Sequence, residues 1–296
     1  MRVHLDTDFG GDTDDACALA LLLGWPEVEI VGITTNLDHG GRRAGLAAWF
    51  LELAGCSGIP VVAGAGASLT TGERYASTWG DPRYWPEAVP PRPAPAGAAL
   101  ELLAESIGRG ATIVAIGAFT NLAMLETDRP GTLGAARVVA MGGWSGPLRP
   151  GFPEWGQEMD FNTQVDRRAA EITFTAAGAL TAVTLAATVQ VHLREAALPR
   201  LRAAGPVGTL LADQAEAYAA DGDKGALGRA HPGLPDDLLN FHHDPLAAAV
   251  AVGWPGAVLE PRAVDPGGRD REVVAGIDGD WFTDAWLTAV EAIGSD

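Results

Sequence analysis

The order of predicted elements favours an α/β fold, with a doubly wound, mostly parallel sheet that carries helices on both faces. Short apolar runs typical of strands alternate along the 296 residues with stretches whose apolar residues recur at helical spacing. Glycine and proline fall between these segments, where turns are needed. Because no internal repeat, linker or low-complexity segment interrupts this order, we expect one domain over residues 1–296.

The first strand and the first helix are predicted to meet at a corner rich in aspartate. Val3 and Leu5 alternate with polar neighbours, which predicts a strand over residues 2–8. Gly10-Gly11 predicts a tight turn, since glycine adopts backbone angles that other residues avoid. From Asp14 onward apolar residues recur at helical spacing, so we expect a helix to begin there.

The remaining elements continue the same alternation. Strands are predicted over residues 28–34, 59–63, 111–116, 137–141, 180–185, 257–264 and 272–275. Helices are predicted over residues 44–54, 98–107, 120–125, 166–174 and 206–219, after Asp244-Pro245, and from residue 282. Residues 144–161 are predicted to be irregular, and residues 221–237 to form a polar loop.

A long segment rich in glycine and proline covers residues 64–95 and contains Tyr75, Trp79, Tyr84 and Trp85. Irregular loops of this length inside a compact domain are usually functional or disordered. The aromatic residues favour the interpretation that this segment forms a lid that covers a functional site. The alternative is a loop that packs on the protein surface.

The formal net charge of −18 excludes several classes of partner. A chain this acidic repels phosphate groups, so neither nucleic acid nor an anionic membrane surface is an expected partner. Cys17 and Cys56 lie in apolar helical runs, which is typical of core thiols in a reducing compartment. The chain enters a strand without a signal-like segment, and no apolar run reaches membrane-spanning length. We therefore expect a cytoplasmic protein.

Five carboxylates stand within ten residues at the acidic corner, and they repel one another unless a cation lies among them. They are Asp6, Asp8, Asp12, Asp14 and Asp15. Calcium takes roughly six to eight oxygen ligands, so closely spaced carboxylates suit it. Capping of the helix is the alternative for Asp12 or Asp14, but it leaves Asp6 and Asp8 unexplained.

The fold prediction brings distant residues together, because ligands bind beyond the carboxyl ends of parallel strands. Asp8 ends the first predicted strand and His39 follows the second. Residues 117–121 follow the strand that ends at Ile116. We expect these positions to converge on one cavity.

A pair of histidines precedes Asp244-Pro245. Helices commonly begin with aspartate as the N-cap and proline at the first helical position, so the motif does not by itself require a function. An imidazole titrates near neutral pH, which makes a histidine here suitable for proton donation. The motif leaves both interpretations open.

Two other groups could contact a ligand. Asp160 and Asn162 offer a carboxylate and an amide close together, a combination that both accepts from and donates to sugar hydroxyls. Met141-Gly142-Gly143 would let the backbone pass close to a ligand. Each group also has a structural interpretation, as a loop turn and as the end of a strand.

Taken together, these motifs resemble the nucleoside hydrolase family of the inosine–uridine-preferring type. The corner Asp6-Thr7-Asp8-x-Gly…Asp14-Asp15-Ala is similar to the family's N-terminal signature. Other motifs follow in the family's order: Gly32-Ile33-Thr34-Thr35, residues 114–123, Met141-Gly142-Gly143, Asp160-Phe161-Asn162, His243-Asp244-Pro245 and residues 278–282. The resemblance covers nearly the whole chain.

The resemblance implies hydrolysis of the N-glycosidic bond of a ribonucleoside or related N-riboside, giving free base and ribose, with one bound Ca²⁺. It implies that Asp8, Asp15, Asp244 and the backbone carbonyl of Ile116 bind the metal. Asp8 is also implied as the general base for a calcium-bound water, and His243 as the acid that protonates the departing base.

The resemblance also implies the sugar contacts. Asp14, Asp160 and Asn162 would hold ribose hydroxyls, and Met141 would line the sugar pocket. The substrate is then a small nucleoside-like molecule. Members of the family are commonly dimers or tetramers, so the resemblance also implies a homo-oligomer, either a dimer or a tetramer.

The residue types suit this chemistry independently of the family. Cleavage of a ribosyl–nitrogen bond builds positive charge on the sugar ring, which an acidic cavity stabilises. A bound calcium ion would orient water and sugar hydroxyls. The departing base is a poor anion, so an acid that protonates it helps.

The acidic corner departs from the family's pattern. Phe9 replaces the usual proline, and Gly11-Asp12-Thr13 stands between Gly10 and the Asp pair where the family has one residue. We align Asp14-Asp15 with the family's pair, and Asp12 is the alternative member of the metal shell.

Two sugar-contact positions also differ from the family. His39 falls where the family often has an asparagine. Glu154 lies in the loop before Asp160, where family members usually have another asparagine. We therefore treat His39 and Glu154 as candidate substrate-binding residues. The substrate need not be an ordinary ribonucleoside.

Two other functions compete with the hydrolase interpretation. A metal-dependent phosphohydrolase would use the Asp6-x-Asp8 pair, but such enzymes usually have threonine where Gly10 stands. A non-catalytic protein that binds a nucleoside or a pentose would tolerate the changes at His39 and Glu154.

Overall fold

The computed structural model describes residues 1–74, 82–86 and 89–294. Its strands are β1 (Arg2–Thr7), β2 (Glu29–Thr35), β3 (Val61–Ala63), β4 (Thr112–Ala115), β5 (Arg137–Met141), β6 (Ala179–Val183), β7 (His192–Arg194), β8 (Leu238–Phe241), β9 (Ala257–Val264) and β10 (Arg269–Ile277). Its helices are α1 (Asp14–Gly24), α2 (Arg42–Leu53), α3 (Ala98–Gly108), α4 (Thr120–Asp128), α5 (Phe161–Gln164), α6 (Arg167–Ala176), α7 (Leu185–Thr188), α8 (Leu198–Ala203), α9 (Gly205–Asp221), α10 (Lys224–Ala230), α11 (His243–Ala251) and α12 (Gly279–Ala292).

The central sheet has eight strands in the order β3-β2-β1-β4-β5-β6-β10-β9. Every neighbouring pair is parallel except β10 and β9, which form an antiparallel hairpin at one edge. The chain runs outward from β1 to β3 and then returns to the other side of β1 with β4. This reversal is the switch point of a doubly wound fold, so the predicted fold class is confirmed.

Helices cover both faces of the sheet because successive strand residues point to opposite sides. In β4, Ile113 and Ala115 pack into one buried cluster with residues of α3, α4 and α6. Val114, between them, packs into a second cluster with residues of α1, α2, α11 and α12. A strand that is buried on both faces reads as a continuous apolar run, and this is why β4 was predictable.

The predicted polar loop over residues 221–237 is partly wrong, since it contains α10. The segment Lys224–Ala230 includes two glycines and lacks an apolar stripe, so no helical periodicity is visible in it. Gly228 is needed there, because a Cβ at this position would lie 2.3 Å from the Pro235 carbonyl oxygen. The short strands β7 and β8 were also missed; they pair with each other outside the main sheet.

The irregular segment over residues 64–95 is anchored to the body of the protein at Tyr84 and Trp85. Trp85 is buried against Phe9, with ring centroids 5.3 Å apart, and the Tyr84 hydroxyl donates to Asp221 over 2.8 Å. Tyr75 and Trp79 lie outside the described residues, and closure of a lid over the site stays a prediction. No helix in the described ranges has the length and apolar character needed to cross a membrane.

His4 lies fully buried in β1 and uses both ring nitrogens. Its Nε2 is 3.0 Å from the hydroxyl of Thr34, which in turn donates to Asp6, so Nε2 carries the proton that Thr34 accepts. The other nitrogen, Nδ1, is 2.9 Å from Ser106 Oγ. Burial lowers the pKa of His4 from 6.5 to about 3, so the ring is neutral near pH 7.

We expect His4 to make the protein less stable in acid. Because the folded pKa lies below the unfolded pKa, its stabilising contribution is complete above pH 6.5 and is lost as the pH falls toward about 3. Between about pH 7 and about pH 5, the unfolding free energy should fall by about 2 kcal/mol more in the wild type than in His4→Gln. Urea unfolding at both pH values measures this difference.

The matched control is His231→Gln, which changes a half-buried histidine outside the sheet. This control should keep the pH dependence of the wild type. An equal pH dependence in His4→Gln and the wild type would contradict the assignment of a buried neutral ring at His4.

Candidate active site

A cavity of about 330 Å³ opens beyond the carboxyl ends of β1 and β4, at the reversal of strand order. The sequence-predicted residues that line it are Asp8, Asp14, Asp15, Ile116, Met141, Asn162, His243 and Asp244. They come from three strand ends and three helix starts, as expected for ligand binding at a switch point. The alternative metal ligand Asp12 lines the same cavity.

Two glycines let the strand ends approach each other. Gly10 has φ of +93°, a left-handed conformation that turns the chain sharply after β1. Gly117 follows β4, and a Cβ there would lie only 2.8 Å from Asp8 Oδ1. The Asp8 carboxylate thus lies directly against the backbone that follows Ile116.

Three carboxylates converge at the starts of α1 and α11. Asp14, Asp15 and Asp244 are all buried, and each offers an oxygen within 4.8 Å of the other two. The backbone N–H of Asp244 donates to Asp14 Oδ2 over 3.2 Å, which joins the two helix starts. The Thr7 hydroxyl donates to Asp15. Asp8 is not a member of this triad, but it borders the same cavity.

Burial and mutual repulsion raise the pKa of each of these carboxyls. Burial is the largest cause for Asp14, Asp15 and Asp244, followed by the negative charges of neighbouring aspartates. Burial also raises the pKa of Asp8, against the opposing positive charge of Arg43. A site that keeps several carboxylates at this energetic cost is suited to a cation.

Arg43 is the only cationic side chain of the described residues that lines the cavity. Its guanidinium lies 3.9 Å from Asp8 Oδ2 and donates to the backbone oxygens of Phe9 and Leu37 over 3.1 and 3.2 Å. One cation at this distance cannot balance five carboxylates. Arg43 was not predicted as a site residue, because its position within α2 resembles that of any helical arginine.

Asp6 serves the fold instead of the cavity. Its carboxylate accepts hydrogen bonds from Thr34, Asn36 and Asn121 over 2.5, 3.0 and 2.7 Å. Burial raises the pKa of Asp6 to about 6, against the hydrogen bonds that lower it. These contacts tie β1 to β2 and to the start of α4, so Asp6 is explained without a metal.

Asp12 is held by side chains from two distant elements. Its Oδ1 accepts from Asn240 of β8 over 2.7 Å, and its Oδ2 accepts from the Tyr218 hydroxyl of α9. Tyr218 also lines the cavity. Neither partner was predicted, because nothing in the local sequence of α9 or β8 signals a contact with a residue more than 200 positions away.

Asn162 joins the ends of two strands behind the cavity. Its amide donates to the carbonyl oxygens of Ile116 and Met141 over 3.1 and 3.2 Å. The predicted backbone ligand at Ile116 therefore already accepts one hydrogen bond, and its second lone pair is available. Met159 and Phe161 border the same cavity with side chains 48% and 57% exposed.

Three predicted substrate-binding residues lie apart from the cavity lining in the described structure. Asp160 caps α5, and its carboxylate accepts from the backbone N–H of Gly143 over 2.7 Å and of Thr163 over 3.3 Å. His39 and Glu154 are exposed on the loops after β2 and β5. A contact between any of the three and a substrate stays a prediction.

His243 stands at the other side of the cavity, at the start of α11. Its Nδ1 forms a hydrogen bond of 2.7 Å with Thr188 Oγ1, and its ring stacks on Phe241 with centroids 5.2 Å apart. Burial lowers the pKa of His243 to about 4. The neighbouring His242 is fully buried against Trp286 and Phe282, so only the second histidine of the pair reaches the cavity.

Comparison with known proteins identifies relatives across most of the chain. Residues 3–284 match the family model of the inosine-uridine preferring nucleoside hydrolase. A pyrimidine-specific ribonucleoside hydrolase RihA of Salmonella paratyphi A is 33% identical over 223 residues, which cover 72% of this chain and 70% of that protein.

Solved structures share the fold at lower sequence identity. A purine-preferring ribonucleoside hydrolase from Gardnerella vaginalis superposes with a TM-score of 0.79 at 22% identity, covering 99% of both chains. A plant nucleoside hydrolase, PpNRh1, superposes with a TM-score of 0.78 at 21% identity, covering 98% of both chains.

Proposed function

The chain belongs to the inosine-uridine preferring nucleoside hydrolase family and is an enzyme that hydrolyses the N-glycosidic bond of ribonucleosides; on this premise we propose that one calcium ion is its cofactor. The family is metal-dependent, and this chain has the buried acidic cluster that such an enzyme needs. The observation that carries the proposal is the convergence of Asp14, Asp15 and Asp244 within 4.8 Å of one another.

The donor set fits a hard divalent cation. The cavity offers five carboxylates and the backbone carbonyl of Ile116, all of them oxygen donors, and no cysteine or histidine belongs to the described acidic cluster. Oxygen-only ligands favour calcium over zinc or copper. We assign Asp8, Asp15, Asp244 and the Ile116 carbonyl as the ligands, and Asp14 as the residue that binds a ribose hydroxyl.

Residues on two sides of the cavity then carry out two parts of the reaction, activation of the water and protonation of the leaving base. Asp8 accepts the proton of the attacking water, and Arg43, 3.9 Å away, keeps its carboxylate oriented. Positive charge that develops on the ribose is stabilised by the buried carboxylates around it. When bound, calcium would orient the water and the sugar hydroxyls and lower the pKa of that water.

His243 acts on the leaving group. Its Nδ1 is engaged with Thr188, which leaves Nε2 as the atom that can reach a departing base. Because burial lowers the pKa of His243 to about 4, the ring has to take up a proton before Nε2 can protonate the base and convert it into a neutral leaving group. Met141 and Asn162 border the sugar, and we retain Asp160, His39 and Glu154 as candidate substrate contacts.

The proposal is tested by measuring the release of base and reducing sugar from uridine, cytidine, inosine and adenosine. Both pyrimidine and purine nucleosides belong in the panel because the relatives divide between them. We expect chelation with EGTA to lower the rate more than about tenfold and added calcium to restore it. Titration calorimetry of the chelated protein should detect one calcium site. A rate that is unchanged after chelation would contradict the cofactor assignment.

A cytoplasmic location and a homo-oligomeric state, dimer or tetramer, complete the proposal. Both cysteines are free thiols, which suits a reducing compartment. Light scattering on the purified protein measures the oligomeric state directly.

A further inference from the structure

The insertion at the acidic corner contributes a carboxylate that the reaction has not used. Asp12 lines the cavity beside the acidic triad, yet its two oxygens accept from Asn240 and from the Tyr218 hydroxyl. These partners lie on β8 and α9, and Asn240 lies three residues before His243. Asp12 therefore connects the metal side of the cavity to the side that carries the proposed proton donor.

We propose that Asp12 is a positioning residue that holds Tyr218 in the wall around the leaving base, and that it is not a ligand of the metal ion. This inference rests on the proposed function, since the leaving base is the product of N-glycosidic cleavage. Asp12 acts through Tyr218, and Tyr218 is the residue that contacts the base.

The contacts of Asp12 argue against a metal ligand. Asn240 Nδ2 lies 2.7 Å from Oδ1, the backbone N–H of Asp14 lies 3.3 Å from the same oxygen, and the Tyr218 hydroxyl donates to the other. The converging oxygens of the acidic cluster belong to Asp14, Asp15 and Asp244. Both oxygens of Asp12 already accept hydrogen bonds from these three donors.

Tyr218 and His243 lie at the same end of the cavity. Lys224 Nζ is 4.8 Å from the ring centroid of Tyr218 and 5.7 Å from that of Phe241. Phe241 in turn stacks on His243 with centroids 5.2 Å apart. The ammonium group thus joins Tyr218 to the aromatic support of the proton donor by cation–π contacts.

The bond to Asp12 decides what Tyr218 can offer a ligand. Burial, followed by the charge of Asp12, raises the pKa of Tyr218, so the phenol keeps its proton and donates it to Asp12. The oxygen can then only accept a hydrogen bond from a ligand. A leaving base that carries an N–H group satisfies it.

The test compares Asp12→Asn, Tyr218→Phe, the double variant and Asp213→Asn with the wild type. Asparagine at position 12 replaces one of the two acceptor oxygens by an amide NH2 group, so it cannot reproduce the present bonds from Tyr218 and Asn240 to separate oxygens. Asp213 is an exposed carboxylate of α9 that pairs with Arg202, so its variant controls for a change of charge on the same helix. Each protein is titrated with calcium alone, assayed for kcat and KM on the best nucleoside, and melted.

Asp12→Asn should bind calcium within about threefold of the wild type, because its carboxylate is engaged elsewhere. Asp12→Asn and Tyr218→Phe should each raise KM about tenfold with little change in kcat, since they remove a contact made before and during the reaction. The KM of the double variant should be no higher than that of either single variant, because both substitutions disrupt the same hydrogen bond between Asp12 and Tyr218. Asp213→Asn should match the wild type.

Two results would overturn the proposal. A loss of calcium affinity in Asp12→Asn would make Asp12 a metal ligand, and additive losses in the double variant would separate Asp12 from Tyr218. The calcium titration does not depend on turnover. A wild type that binds calcium and cleaves no riboside would therefore refute the proposed function without deciding the ligand role of Asp12.

Discussion

Replacement of Asp15 by asparagine is expected to lower kcat/KM for a ribonucleoside by at least about 10³-fold, because it removes a carboxylate ligand from the cation that orients the reacting groups. Asp15 is buried at the start of α1, where Asp14 and Asp244 lie within 4.8 Å. The same change should weaken calcium binding by at least about 100-fold, measured by calorimetry on the chelated protein.

The control for Asp15→Asn is Asp278→Asn, which makes the same chemical change at the start of α12. Asp278 accepts from the backbone N–H of Trp281 over 3.0 Å, and asparagine caps a helix about as well as aspartate, so its variant should keep nearly the stability of the wild type. Its calcium affinity and kcat/KM should stay at wild-type values. Calcium binding of wild-type strength in Asp15→Asn would refute the ligand assignment.

Replacement of His243 by alanine should lower kcat on natural nucleosides by about 10²- to 10⁴-fold, the usual contribution of a general acid. KM should change little, because the proton is transferred in the transition state and not on binding. The change removes the hydrogen bond to Thr188 and the stacking contact with Phe241 but leaves the acidic cluster intact. Steady-state assays of both kinetic constants measure the effect.

A substrate that needs no acid separates this role from a structural one. The leaving group of 4-nitrophenyl riboside is stable as an anion, so His243→Ala should cleave it at nearly the wild-type rate. An equal loss on both substrates would show that alanine damages the cavity and would count against proton donation. A melting temperature close to that of the wild type is the accompanying check.

The β strands of the main sheet were the most predictable part of the fold, and the small second sheet the least. β5 was predicted at Arg137–Met141 and is found there, because a strand buried on both faces reads as a continuous apolar run. β7 and β8 have three and four residues and pair with each other at a separation of more than 40 positions. Pairs this short and distant leave no local pattern.

The acidic corner was recognisable from the sequence, but its five acids do different things. Asp14 and Asp15 are near each other in sequence and in space, and both belong to the converging triad. Asp6 bonds Thr34, Asn36 and Asn121, while Asp12 bonds Tyr218 and Asn240. Partners on distant elements decide between these roles.

The doubly wound fold, the family and the set of carboxylates were predictable from residue order alone, because each depends on patterns within a few neighbouring residues. The folded structure was needed to see which carboxylates converge and which are engaged elsewhere. It also brought Arg43 and Tyr218 to the cavity. Hydrogen bonds and charge repulsion act over a few ångströms of space, and the parallel sheet brings residues more than 200 positions apart within that distance.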